Sequence, residues 1–194
     1  MYHRRAALIA CLSLLAACGS DSPTAPIAVS GTVTFNYSGG GGGSYSATGS
    51  LLSTASQATA QSTTWSTGWK DNADGSTNIA SNVAVTSTLS NFFGIIINRQ
   101  TAGTATIDPN CTSTNTTACT DVVLFIGFTA ASGNFTSVCA LESGSVVIAT
   151  ISATKVTGTF SGTGTCVTST GTPSTFTITN GSFDVPLQAM PTGI

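Results

Sequence analysis

The chain has 194 residues, only 6% of them charged, with a formal net charge of −2 and a single histidine, His3. No Lys/Arg cluster is present to neutralise phosphates, which excludes nucleic-acid binding. His3 stands in an N-terminal segment that reads as a cleaved signal, so the mature chain cannot build a Ser-His-Asp or Cys-His nucleophile or a histidine-ligated metal site.

The first five residues, Met1-Tyr2-His3-Arg4-Arg5, form a basic head, and Ala6 to Ala17 is an apolar run. That run is too short for a membrane span, which needs about 20 apolar residues, and has the layout of a secretory signal. It ends in Leu15-Ala16-Ala17-Cys18. These residues resemble the bacterial lipobox, and the resemblance implies cleavage before Cys18, lipidation of its thiol and residence in the cell envelope. Gly19, rather than aspartate, after the cysteine points to the outer membrane by the sorting rule of some Gram-negative lipoproteins. Several acyl chains anchor a protein durably where one is marginal. Gly19 to Pro26, rich in Pro and Ser, is an extended solvated tether. The expected division is therefore signal peptide 1–17, lipidated Cys18 with tether 18–26, and one all-β domain 27–194. Without residues 1–17 the chain keeps Lys70, Arg99 and Lys155 against six Asp and one Glu, a net charge of −4.

Ile27, Val29, Val33, Phe35 and Tyr37 alternate with Ser30, Thr32, Thr34 and Asn36, the period of a half-buried strand. Five glycines, Gly39 to Gly43, follow. A P-loop would need a lysine and a following helix; with neither, the glycines read as the flexible tip of a hairpin whose return strand is Tyr45 to Leu52. Residues 53–64 lack periodicity and read as a loop or at most one short helix.

Trp65 and Trp69 precede Lys70-Asp71-Asn72-Ala73-Asp74-Gly75. Trp65, Trp69, Asp71, Asn72 and Asp74 are the candidate ligand-binding residues, as a sugar-stacking platform beside acidic and amide groups. EF-hand spacing is not met, because Ala73 and Gly75 fall where acidic or amide ligands are required. The competing reading puts the tryptophans over the core and makes Asp74-Gly75 a turn.

Further strand signals recur at 79–89, 92–98, 104–107, 122–129, 135–141, 145–151, 156–165 and 175–185. With the first hairpin that makes about ten strands, an all-β antiparallel sandwich or barrel. Val122 to Ile126 and Val146 to Ile151 are apolar on both faces and read as central strands. In the last segment Phe176 and Ile178 are even-numbered but Phe183, Val185 and Leu187 odd. A bulge at Asn180-Gly181, with glycine at the positive φ, would keep both sets on one face; a type I′ hairpin is the alternative. Gly144-Ser145-Val146-Val147-Ile148, Val156 to Thr163 and Ile178 to Pro186 together resemble uncharacterised lipid-anchored β-domain families over about residues 100–187. That resemblance implies a fold and no activity.

Cys111, Cys119, Cys139 and Cys166 are an even set in an exported chain, and read as two disulfides. Proximity favours Cys111 with Cys119, leaving Cys139 with Cys166, which the strand assignment above separates by one intervening strand. Cysteine ligation of a metal is disfavoured, because no C-x-x-C pair exists. Cofactors are expected to be none. The leading reading is a non-enzymatic, membrane-anchored module that meets a glycan or an envelope protein. The enzyme alternative is a glycosidase pair drawn from Asp71, Asp74, Asp108, Asp121, Glu142 and Asp184, with Glu142 expected in a turn.

Overall fold

The computed structural model describes residues 29–51, 62–71, 73–111, 115, 117–129 and 132–188. The signal, Cys18, the tether and Asn72 lie outside them.

Ten strands occur in chain order: β1 (Gly31–Ser38), β2 (Gly43–Gly49), β3 (Trp65–Asp71), β4 (Ser76–Ala84), β5 (Ser90–Ile97), β6 (Gly103–Ile107), β7 (Cys119–Phe128), β8 (Ser137–Ile151), β9 (Lys155–Thr168) and β10 (Pro173–Gln188). They form one sheet, and the all-β expectation holds. Its hydrogen bonds close into a ring running β10-β3-β4-β5-β7-β8-β9 and back to β10. The β1–β2 hairpin lies along the edge of β10, and β6 fills the space between β7 and the second half of β8. All pairings are antiparallel except the short β10–β3 and β6–β7 contacts.

The expected number of strands is met by a different set. Residues 135–141 and 145–151 were expected as separate strands around a turn, but β8 runs through both. Glu142 is therefore not in a turn: it is the extra residue of a bulge, since Leu141 pairs with Gly164 and Ser143 with Thr163. The bulge shifts the inward set from odd Cys139 and Leu141 to even Val146 and Ile148, all buried. Conversely, Trp65 to Asp71, to which the sequence reading assigns no strand, is one.

A comparable bulge carries β10 past Asn180. Ile178 pairs with Gly162 and Gly181 with Phe160, so two residues on β10 face one on β9. Phe176, Ile178, Phe183 and Val185 consequently all point inward and are buried. The hairpin alternative fails, because residues 182–186 continue along β9. The positive φ falls on Asn180, at 53°, and not on glycine. Gly181 is needed for another reason: a Cβ there would run into the Phe160 ring and backbone carbonyl.

The inward faces build the main core, in which Phe160 touches Phe35, Phe93 and Phe183 at centroid distances of 5.6, 5.2 and 6.3 Å. A second apolar cluster lies on the opposite face of β3, β4, β5, β7 and the start of β8, around Trp65, Ala80, Phe92, Val123, Phe125 and Val138. Strand β7 supplies Val122 and Leu124 to one cluster and Val123 and Phe125 to the other, as its two-sided apolar run requires. The run Val146 to Ile151 differs: Val146 and Ile148 are buried, but Ala149 is exposed on the other face.

Candidate functional site

The tryptophan platform is not assembled as an exposed surface. Trp65 is 2% exposed and packs edge-on against Phe92 at 6.3 Å, inside the second cluster. Trp69, four residues along the same strand face, is half-buried against that cluster. Asp71 and Asp74 are engaged locally: Asp71 Oδ1 accepts from Ala73 N at 2.8 Å, and Asp74 Oδ1 from Ser76 N at 2.9 Å. Gly75, at φ 76°, closes this β3–β4 turn through its N–H to the Asp71 carbonyl. The two carboxylates thus do the work of turn residues.

The remaining acidic groups are dispersed. Asp108 Oδ1 accepts from Asn110 N at 2.8 Å in the loop after β6. Asp121 lies in β7 opposite Ile96, and Glu142 is exposed at its bulge. Asp184 is exposed and pairs with Lys155 at 2.9 Å across β10 and β9. Among the described residues no three His, Cys, Asp or Glu side chains converge as a metal site.

Both disulfides have the expected partners. Cys111–Cys119, with Cα atoms 5.6 Å apart, ties the β6–β7 loop to the start of β7. Cys139–Cys166, at 3.9 Å, joins directly opposed residues of β8 and β9. The intervening strand expected from sequence does not exist, because β8 is continuous and β9 is its immediate neighbour.

The outward face of β2, β1, β10, β9 and the second half of β8 is built almost wholly from hydroxyl and amide side chains. Strand register sets them in rows across the sheet. One row reads Thr48, Thr32, Asp184, Thr157 and Thr150. The next reads Ser46, Thr34, Ser182, Thr159 and Val147. A third holds Ser44, Asn36 and Thr179, continued beyond the β10 bulge by Ser161 and Ser145, and a fourth holds Ser38, Thr177, Thr163 and Ser143. Neighbours within a row are about 4.8 Å apart, and rows are about 7 Å apart along a strand. Several hydroxyls bond across strands: Thr34 to Ser182 at 2.9 Å, Ser143 to Thr163 at 2.8 Å and Thr150 to Thr157 at 2.7 Å. Asp184 within the rows pairs with the adjoining Lys155, and Glu142, exposed at the β8 bulge beside Ser143, borders the fourth row. The sequence signal was the Thr/Ser alternation of Thr157, Thr159, Ser161 and Thr163, legible as a neutral polar strand face but not as part of a continuous array.

No protein family, curated protein or solved structure matches this chain.

Proposed function

We propose that this chain is an exported lipoprotein, held at the cell envelope through Cys18, whose β-domain is a non-enzymatic module binding a neutral polysaccharide on its hydroxyl face. The observation that carries this reading is the array of hydroxyls in register over five strands. Such an array offers many donors and acceptors at fixed spacing, each weak, and many together suit a polymer with repeating hydroxyls of its own. The one charge within the rows, Asp184, is paired with Lys155, which leaves the rows little with which to hold an ionic polymer. The chemistry of the face also disfavours lipid or an apolar protein surface: among the described residues the exposed large apolar side chains are Val29 and Val85, and neither belongs to a strand of the face. The anchor is supported by the lipobox-like sequence and by two disulfides, which persist in oxidising compartments.

The test is cosedimentation of the purified mature chain with insoluble cellulose and with insoluble starch. Binding to at least one is expected, with a loss of about tenfold or more in Thr159→Lys/Thr163→Lys, since both positions are exposed and each substitution replaces a hydroxyl by a bulky charge. No binding to either polymer, or undiminished binding by the variant, rejects the reading. Labelling with a radioactive fatty acid examines the anchor separately: label should enter the native chain and be absent from Cys18→Ser.

A further inference from the structure

The five-glycine segment is closed onto the barrel, in contrast to the flexible tip expected from sequence. Gly39 to Gly43 all have positive φ, at 84, 60, 104, 64 and 144°, and Gly42 N donates to the Gly39 carbonyl at 3.0 Å. Two of these residues sit against structure. A Cβ on Gly39 would run into the Thr175 carbonyl. A Cβ on Gly40 would lie 3.0 Å from Cys166 Sγ, 3.1 Å from Cys139 Sγ and 3.0 Å from Ile126 Cδ1. Gly41, by contrast, has nothing within 4 Å of its Cβ position. The loop backbone thus rests directly on both sulfurs of a bridge whose cysteines are 0% exposed.

We infer that the Gly39–Gly43 loop is a lid that seals the Cys139–Cys166 disulfide from thiol exchange. Reduction begins when a thiolate attacks one sulfur, forming a mixed disulfide and expelling the other sulfur as a thiolate. The second thiol of a dithiol then displaces the protein sulfur, leaving two cysteine thiols and an oxidised cyclic reagent. The first step needs access to a sulfur, and the Gly40 backbone occupies one approach while the strands and the core occupy the others. Glycine is required at position 40 for close approach as well as for its φ, whereas position 41 requires it for φ alone. This difference separates sealing from strain.

The experiment follows reduction of the native chain by dithiothreitol, quenched by alkylation and mapped by peptide mass spectrometry. Gly40→Ala is expected to speed reduction of Cys139–Cys166 by about tenfold, as the lid is pushed off its seat. Gly41→Ala, which carries the φ strain without touching the bridge, should change that rate by less than about twofold. Reduction of Cys111–Cys119 in the same samples reports general loosening and should stay constant. Inserting four glycines between Gly41 and Gly42 lengthens the lid without adding a side chain, and should also expose the bridge. Equal rates for Gly40→Ala and Gly41→Ala, equal acceleration of both disulfides, or no effect of the insertion would each overturn the proposal.

Discussion

Truncating Phe160 to Ala is the most direct test of a continuous interior. Phe160 is 3% exposed and stands between Phe35, Phe93 and Phe183. Phe→Ala in a core costs about 3–5 kcal/mol, rising with the cavity left. Collapse is obstructed here because Phe93 is itself fully buried and Gly181 has no side chain to move inward. Three ring pairs, at about 0.5–1.5 kcal/mol each, are lost as well. The overlapping contributions place the expected cost near the top of the range, about 5 kcal/mol, equivalent to a fall in Tm of about 10–20 °C for a domain of this size. Phe160→Leu retains most of the volume but loses the ring pairs, so about 1–2 kcal/mol is expected. Urea and thermal unfolding followed by circular dichroism measure both. A fall in Tm below about 3 °C for the Ala variant, or equal losses for Ala and Leu, would refute the packed aromatic centre.

Asn180→Val should cost about 1–2 kcal/mol, because a β-branched residue resists the left-handed backbone at φ 53°, whereas Asn180→Gly should be neutral or slightly stabilising; urea midpoints distinguish them. Removing Cys139–Cys166 by double Ala substitution opens a 27-residue separation and should cost about 3.5 kcal/mol, against about 2.5 kcal/mol for the eight-residue Cys111–Cys119 loop. The reverse order in chemical denaturation would contradict the loop-entropy account. Burial raises the pKa of the Tyr45 hydroxyl above its ordinary value of 10, and the hydrogen bond with Ser81 opposes the shift only in part. The folded state therefore favours the protonated phenol; stability contributed by Tyr45 is complete below pH 10 and is lost as pH rises above it. Tyrosinate absorbance from Tyr45 should appear only with alkaline unfolding, and Tyr45→Phe should lessen the alkaline loss while costing about 1 kcal/mol at neutral pH through the Ser81 hydroxyl left behind.

Local chemistry made much of the molecule legible in the sequence. Period-two alternation of Val33, Phe35 and Tyr37 with Thr and Asn marks an inward face wherever the chain is extended, and the two-sided run of β7 marks a strand covered twice. The parity change between Ile178 and Phe183 demands a bulge in any continuous strand. Even cysteines and their spacing identified both bridges. What failed depended on partners. Glu142 to Gly144 has turn composition, but pairing with β9 supplies hydrogen bonds on both sides of Glu142, so the chain bulges and continues. Trp65 and Trp69 gave no indication of which face would be covered, because a second apolar cluster exists only after β4, β5, β7 and β8 come side by side. The glycine run specified freedom; the disulfide and the β10 backbone beneath it decided that this freedom is used for close contact. The hydroxyl array, too, arises from register: alternation places a threonine outward on one strand, but only the pairing of five strands aligns those residues into rows.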